Sequence, residues 1–291
     1  MNTLTGPDHN LRVAAFMTAS MAGFAVEDMF LKAAARQMPP GQVILIVGLC
    51  GMLVFGLMAV LRGEPPLPRA FLHRALLIRS GFEVSGRLFY SLAIALTPLS
   101  TTSAILQATP LVVVAGAALI FGERVGWRRW SAVAVGFVGV LIILRPGVEG
   151  FSALSLLAVA GMIGFAGRDL ATRAAPKVLS NRQLGLAGFA MLALAGAILL
   201  AVTGGAERPD LHGAGLLAGT TIFAILGYHA LTSAMRTGEI SFVTPFRYTR
   251  LVFALILSVL IFAERPDAPT LIGSALVVAS GLYALARANR R

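Results

Sequence analysis

Ten long stretches of apolar residues divide this chain of 291 residues, and they constrain its fold more than any other feature. A bilayer core about 30 Å thick requires about 20 apolar residues per helix. The ten stretches have about that length and lie near residues 11–33, 41–61, 73–96, 99–121, 130–145, 152–173, 181–203, 213–235, 241–262 and 268–286. This pattern predicts an all-α integral membrane protein with ten transmembrane helices, which are called spans 1 to 10 below.

The sequence does not fit a soluble domain or a β-barrel. Only 13% of the residues are charged, whereas a soluble domain carries roughly a quarter. The strands of a β-barrel would alternate in polarity, but Leu111–Phe121 and Val133–Leu144 are apolar on every side. The N-terminal sequence MNTLTGPDHN is polar, and no small-residue cleavage pattern follows span 1. Span 1 is therefore predicted to be a retained helix rather than a removed signal peptide.

The formal charge of +11 has two interpretations, nucleic-acid binding and membrane orientation. If the N-terminus lies inside, the inner loops and tails hold 14 Lys and Arg residues. The outer segments hold 5, namely Lys32, Arg36, Arg145, Arg208 and Arg265. Because an excess of Lys and Arg marks the cytoplasmic side, both termini are predicted to be cytoplasmic. The expected partner is the lipid bilayer and not a nucleic acid.

Two short motifs recur at one offset of 141 residues. Gly-Phe-Ala occurs at residues 23–25 and again at 164–166. Phe-x-Glu-Arg ends span 4 at residues 121–124 and ends span 9 at residues 262–265. Two unrelated matches at the same spacing predict an internal repeat, with halves at about residues 1–145 and 150–291.

Each predicted half contains five spans. Because five is an odd number, the second half starts on the opposite side of the membrane from the first. The two five-helix repeats are therefore predicted to be inverted, which is typical of secondary transporters.

Polar residues are concentrated in spans 1, 3, 4, 6, 8 and 9, which the repeat pairs as 1 with 6, 3 with 8 and 4 with 9. Charged groups at the centre of a membrane helix cost at least ~2.5 kcal/mol each, so they face a bundle interior or a wet cavity. These six spans are predicted to surround a central cavity, with spans 2, 5, 7 and 10 outside them.

Span 3 carries Arg79, Glu83, Arg87 and Tyr90 on one helical face. This face is either a wall that binds a charged substrate or a self-neutralising ladder of ion pairs. In span 8, His229 is either a proton relay or a packing residue. In span 9, position alone does not decide which of Arg247 and Arg250 faces the cavity.

In spans 1 and 6, Asp28 is predicted to pair with Lys32, and Asp169 with Arg173, because each pair is four residues apart. Glu27 and Arg168 are repeat equivalents of opposite sign, and a salt bridge between them is a further hypothesis.

In span 4, Pro110 is predicted to kink the helix. The repeat places Leu251 at the matching position, and the proline of span 9 is displaced to Pro245. A symmetric hinge at the two prolines is therefore not predicted.

Motifs of soluble-type enzymes and ATP-driven pumps are missing. The sequence has no P-loop, no GxSxG, no HExxH and no Cys/His cluster. No catalytic residue, metal site or cofactor is therefore predicted, and the protein is not expected to be an enzyme.

The ten spans in two halves, with Phe-x-Glu-Arg ending spans 4 and 9, resemble the drug/metabolite transporter superfamily of the EamA type. Phe121–Gly139 and Phe262–Gly281 each look like that family's junction, in which an acidic residue at a helix end precedes a short loop and a helix containing glycine. Within the superfamily, the chain resembles the YddG-like aromatic amino-acid exporters. This resemblance implies export of amino acids or related metabolites across a bacterial inner membrane.

The candidate substrate-binding residues combine aromatic rings, charges and an amide. They are Phe24, Phe82, Glu83, Arg87, Tyr90, Gln107, Phe165, Tyr228, His229, Arg247 and Tyr248. An arginine, Arg87 or Arg247, could hold a carboxylate, and Glu83 could bind an ammonium group or a proton. An amino acid fits both charges, and so do many other metabolites. Together with the export that the resemblance implies, these residues predict a secondary transporter that exports a small molecule, most simply an amino acid and including aromatic ones, by alternating access.

The alternatives are an exporter of another drug or metabolite, and a membrane-embedded enzyme or sensor without transport activity. The sequence does not indicate an oligomeric state or a coupling ion.

Overall fold

The structure is a computed structural model that describes residues 7–122, 125–146, 152–174, 179–237 and 244–288. Within these ranges the chain is mostly helical and contains no strand. The α-helices are α1 Pro7–Ala34, α2 Pro40–Val60, α3 Arg74–Leu96, α4 Leu99–Leu106, α5 Thr109–Phe121, α6 Trp127–Leu144, α7 Ser155–Ala174, α8 Asn181–Thr203, α9 Leu211–Thr237, α10 Thr249–Phe262 and α11 Ala268–Ala288. Two short 3-10 helices cover Arg69–Leu72 and Thr244–Tyr248. Glu123 and Arg124 of the first Phe-x-Glu-Arg motif, the Arg173 side chain and the segment between the halves lie outside the described residues.

Within the described residues, helices lie at all ten predicted spans, which confirms the predicted all-α architecture. Helices α4 and α5 together form span 4, and the second 3-10 helix continues into α10 to form span 9. In the described part of the chain, seven helices are long and apolar enough to cross a membrane by length and composition, and Trp130–Leu144 is a shorter apolar helix. The helices at the remaining two predicted spans, α3 and α7, contain several charged residues.

Span 4 is interrupted between Leu106 and Thr109. Pro110 has no backbone N–H, so it cannot donate to the carbonyl of Leu106 as the fourth residue of a continuous helix would. The Thr109 hydroxyl donates to that carbonyl. A side chain therefore satisfies the group that the proline leaves free, as an interrupted membrane helix requires.

Span 9 changes its helical form at the aligned position. The 3-10 helix ends at Tyr248, and the 141-residue offset matches Tyr248 to Gln107 in the interruption of span 4. The two irregular segments touch, because the Gln107 side chain donates to the backbone carbonyl of Arg247 over 3.2 Å. The irregularities are thus aligned in the two halves although Pro110 and Pro245 are not.

The most extensive helix pairs all join one half of the chain to the other. They are α1 with α9, α2 with α8, α3 with α7 and α6 with α11. The repeat makes α1 equivalent to α7 and α9 equivalent to α3, so the α1–α9 pair corresponds to the α7–α3 pair. The α2–α8 and α6–α11 pairs each consist of two equivalent helices. This is the arrangement of a pseudo-twofold axis, and the odd number of spans in each half makes the repeats run in opposite directions.

Glycines allow the exchanged pairs to approach closely. A Cβ on Gly23 of α1 would lie 3.2 Å from the Cα of Gly227 in α9. A Cβ on Gly164 of α7 would lie 2.5 Å from the backbone nitrogen of Gly86 in α3. Gly164 and Gly227 are the repeat equivalents of Gly23 and Gly86, so both halves use the same backbone contact.

The Gly164→Ala substitution is expected to lower stability by about 1–3 kcal/mol, the usual cost of overpacking. The new methyl group would meet the Gly86 backbone, so α3 and α7 would have to separate. Thermal unfolding in detergent measures the effect. The matched control is Gly81→Ala on α3, where the added Cβ meets no atom within 4 Å. Equal unfolding temperatures for the two variants would contradict the importance of this contact.

Candidate functional site

A cavity of about 120 Å³ lies at the centre of the bundle. Spans 1, 3, 4, 6, 8 and 9 all contribute to its wall, as their polar content predicted, and Leu192 of α8 adds one apolar side chain. Eight charged residues line the cavity: Glu27, Asp28, Arg79, Glu83, Arg87, Arg168, Arg247 and Arg250. Charges of this number inside a membrane bundle are costly unless they are paired or hydrated.

Glu83 is the centre of the first charge cluster. Its carboxylate lies 3.3 Å from Arg79 Nη2, 3.3 Å from Arg87 Nε and 3.4 Å from Arg168 Nη1. Arg168 also contacts Asp169, 2.8 Å from its Nη2. The Glu83 side chain is only 2% exposed. Three arginines therefore occupy this carboxylate, which leaves it little capacity for a ligand.

Asp28 is the centre of the second cluster. Arg250 Nη2 lies 2.6 Å from Asp28 Oδ2, and the Tyr90 hydroxyl donates to the same oxygen over 3.0 Å. Arg250 also lies over the rings of Phe24 and Tyr90, at 5.3 and 5.6 Å from their centroids. Arg250 is thus committed to Asp28 and to two aromatic faces.

The second half holds its arginines in a similar way. Phe165, the repeat equivalent of Phe24, lies under Arg168 and Arg87, whose guanidinium carbons are 5.0 and 5.9 Å from the ring centroid. The two aromatic residues of the recurring Gly-Phe-Ala motif therefore each support arginine in the cavity wall.

Arg247 differs from the other arginines of the cavity. It lines the cavity, but among the described residues its guanidinium has no hydrogen bond and no ion pair. Its backbone is held independently, because the carbonyl accepts the hydrogen bond from Gln107. Arg247 is therefore a positioned cation that is available to an anionic ligand.

One end of the bundle is closed around Glu264, which follows α10. Its carboxylate accepts hydrogen bonds from the backbone nitrogens of Leu99 and Ser100, at 2.9 and 3.2 Å, at the start of α4. Lys32 Nζ lies 3.4 Å from the same carboxylate and donates to the carbonyl of Thr97. These contacts tie α1, α3, α4 and α10 together at what is called the Glu264 end.

A second link lies near the Glu264 end. Arg145, after α6, pairs with Asp267, before α11. Partial burial raises the pKa of the Asp267 carboxyl, but hydrogen bonds from Thr270 and Arg145 lower it more, so the net pKa lies below its usual value.

The structure differs from the predicted local pairs. Asp28 bonds to Arg250 and Lys32 bonds to Glu264, so neither pairs with the other. Arg168 contacts Glu83 and Asp169 rather than Glu27. In each case a partner on another helix, or a neighbour in sequence, replaces the expected one, because the charges of a bundle interior are shared between helices. The predicted contact of Asp169 with Arg173 involves a side chain outside the described residues.

The Lys32–Glu264 contact gives a test of the closure. Lys32→Met and Glu264→Gln are each expected to reduce stability by about 1–3 kcal/mol, because each leaves a partly buried charge or donor without its partner. The double variant is expected to lose less than the sum of the single losses. Thermal unfolding of the four proteins measures this coupling, and strictly additive losses would show that the two groups act independently.

Nine of the eleven predicted site residues line the cavity, and two lie outside its lining, namely Phe82 and His229. Phe82 is 39% exposed, and its ring contacts Gly167 of α7. His229 is exposed on α9. The Tyr248 hydroxyl is buried against Gly281 of α11, without a hydrogen-bond partner in the described part of the chain. The binding roles of all eleven residues stay predictions.

Several cavity residues were absent from the predicted set. Glu27, Asp28, Arg79, Arg168 and Arg250 all line the cavity. The spacing of span 3 had already placed Arg79 on the face of Glu83 and Arg87. The four-residue spacing to Lys32 predicts the wrong partner for Asp28, and an acid that is paired within its own helix is not expected to bind a ligand. The hypothetical salt bridge to Arg168 likewise gives Glu27 a structural role.

Comparison with known proteins gives one family. The sequence profile of the EamA-like transporter family matches this chain twice, at residues 11–145 and at residues 152–285. The two matches cover most of the chain.

Curated relatives are identical to this chain at somewhat more than a quarter of the aligned positions. An S-adenosylmethionine uptake transporter of Rickettsia bellii is 27% identical over 221 residues, which are 74% of this chain and 72% of the relative. A riboflavin transporter of Rhizobium johnstonii is 29% identical over 203 residues, 68% of this chain and 65% of the relative. The pseudopaline exporter CntI of Pseudomonas aeruginosa is 27% identical over 275 residues, 92% of this chain and 93% of the relative.

A solved crystal structure shares the fold, with a TM-score of 0.63 and 17% identity over 91% of this chain and 97% of that one. The relatives are transporters of small molecules, which points away from an enzyme. They transport chemically different solutes, so they give no specific support to the narrower resemblance to YddG-like aromatic amino-acid exporters.

Proposed function

Because this chain belongs to the EamA-like transporter family, we propose that it exports a small carboxylate-bearing metabolite, of the amino-acid type, by alternating access through the central cavity. The observation that carries the proposal is Arg247, a cavity arginine that forms no salt bridge with a described residue. The carboxylate that acts on it electrostatically, Asp169, is already paired with Arg168. A guanidinium binds a carboxylate through two parallel hydrogen bonds, which makes it a specific anchor.

The charge balance of the cavity supports an anionic anchor point. Five arginines line the cavity, namely Arg79, Arg87, Arg168, Arg247 and Arg250. The acidic residues are Glu27, Asp28 and Glu83 in the lining, together with Asp169, which pairs with Arg168. Basic residues therefore outnumber acidic ones by one. In a medium of low dielectric constant an uncompensated charge is costly, so a carboxylate that enters this cavity is stabilised.

Alternating access is supported by the inverted arrangement of the halves and by the closure at the Glu264 end. The excess of Lys and Arg in the inner loops supports cytoplasmic termini and a location in the bacterial inner membrane. With that orientation, the Glu264 end faces away from the cytoplasm.

A fluorescent protein fused to the C-terminus should then fold and fluoresce inside the cell.

The proposed direction rests on the resemblance and on one relative, the pseudopaline exporter, whereas the S-adenosylmethionine relative is an uptake transporter. Of the three relatives described above, the exporter aligns along the largest share of this chain. S-adenosylmethionine, the solute of another relative, contains an amino-acid group. The rings of Phe24, Phe165 and Tyr228 in the cavity wall are compatible with an aromatic side chain.

Counterflow in proteoliposomes tests the proposal. Vesicles with the purified protein are loaded with one unlabelled amino acid at a time, including the aromatic ones, and uptake of the same labelled solute is followed. S-adenosylmethionine and riboflavin serve as additional probes. Uptake above that of protein-free vesicles, with the solute recovered unchanged, supports transport. No uptake of any carboxylate-bearing solute would overturn the proposal.

A further inference from the structure

Glu27 is a cavity carboxylate that the charge clusters do not use. It precedes Asp28 in α1, and both residues line the cavity and are buried, at 5% and 3% exposure. Asp28 is bound by Arg250 and Tyr90. Glu27 has no hydrogen bond and no ion pair with any described residue. The cavity therefore contains a buried acid that has no partner in the part of the chain that the structure describes.

The charged groups that act on Glu27 have partners of their own. They are Asp28 on the same helix, Arg87 on α3 and Arg250 on α10. Arg87 lies 3.3 Å from Glu83, and Arg250 lies 2.6 Å from Asp28. The two arginines thus lie near Glu27 without donating a hydrogen bond to it. A buried carboxylate without a donor is costly, so a cationic donor that enters the cavity would be stabilised there.

Glu27 and Arg247 complement each other. Both line the same cavity, one an acid and the other a base, and neither has a partner in the described part of the chain. The elements that carry them are in contact, because α1 packs against the 3-10 helix Thr244–Tyr248. The other two acids of the cavity lining, Asp28 and Glu83, are in ion pairs. A ligand that satisfies both free groups must carry a positive and a negative charge.

We propose that Glu27 binds the ammonium group of the substrate while Arg247 binds its carboxylate, so the transported class is amino-carboxylates. This inference rests on the proposed transport function. It assigns the amine-binding role to Glu27 rather than to Glu83, whose carboxylate is occupied by three arginines.

The test uses pairs of solutes that differ only in the amine. Phenylalanine is compared with 3-phenylpropionate, and glutamate with glutarate, in counterflow with the wild-type protein, Glu27→Gln and Glu27→Asp. The wild type is expected to prefer the amine-bearing member of a transported pair at least tenfold. Glu27→Gln is expected to reduce that preference to about twofold or less, because it lowers the flux of the amine-bearing member much more than the flux of the amine-free acid. Glu27→Asp keeps the charge and should retain part of the preference.

The matched control is Glu207→Gln, which alters an exposed acid far from the cavity lining and should not change the preference. An unchanged preference in Glu27→Gln would overturn the inference, whether the fluxes of both members of a pair stay the same or fall equally. If Glu27 bound a proton instead, Glu27→Gln would abolish the response of flux to an imposed pH gradient and keep the preference for amines. A wild type that transports carboxylates without preferring amines refutes this inference alone, whereas a wild type without any flux refutes the proposed function.

Discussion

Arg247→Gln is expected to reduce counterflow of carboxylate-bearing solutes by roughly 10- to 150-fold. A hydrogen bond to a charged group contributes about 1.5–3 kcal/mol, and each 1.4 kcal/mol is a factor of ten in affinity. The substitution removes no ion pair within the described structure, because Arg247 has none. The backbone carbonyl that Gln107 binds is retained in the variant. The variant should therefore fold as the wild type does and lose only recognition.

Two controls accompany this variant. Arg247→Lys keeps the charge but not the forked geometry, so an intermediate flux is expected. Arg208→Gln removes an exposed arginine that is not in the cavity lining, and its flux should match the wild type. Counterflow of Arg247→Gln at the wild-type rate, with unchanged half-saturation, would exclude Arg247 as the carboxylate anchor.

Glu83→Gln is expected to reduce stability by about 3–5 kcal/mol, the usual cost of removing one partner from a buried ion pair. The substitution leaves Arg79, Arg87 and Arg168 without their shared carboxylate. Because the side chain is only 2% exposed, water cannot replace it readily. Thermal unfolding in detergent should show a large decrease in midpoint and a low yield of monodisperse protein.

The control for Glu83→Gln is Glu64→Gln. Glu64 pairs with Arg182 where the side chains are 24% and 32% exposed, and partly exposed pairs contribute about 0–1 kcal/mol. A similar small loss in both variants would show that Glu83 does not hold the cluster together. A stable Glu83→Gln protein that had lost transport would instead restore the interpretation of Glu83 as a ligand for the substrate.

Much of the fold could be predicted because it depends on local properties. The length and polarity of each span follow from the thickness of the bilayer, and the recurrence of Gly-Phe-Ala with the odd number of spans per half predicts the inversion. The interruption at Pro110 was also foreseen, since proline lacks a donor.

The charge pairs of the site could not be predicted in the same way. Arg250 and Asp28 are 222 residues apart in sequence, and their contact depends on how α1 and α10 pack. The sequence shows that Asp28 and Lys32 are four residues apart, but it does not show that Glu264 and Arg250 are nearby competitors. For the same reason, the unpaired state of Glu27 became visible only when the partners of its neighbours were known.

The pairing of α1 with α9, α2 with α8, α3 with α7 and α6 with α11 also bears on what a folding unit is in this chain. Each half directs its largest contact surfaces at the other half and not at itself. The two halves are therefore related as the subunits of an obligate heterodimer are, although both belong to one polypeptide. Neither half would have a completed core when synthesised alone. The helices of the first half therefore remain in the membrane without their main packing partners until the second half has been inserted.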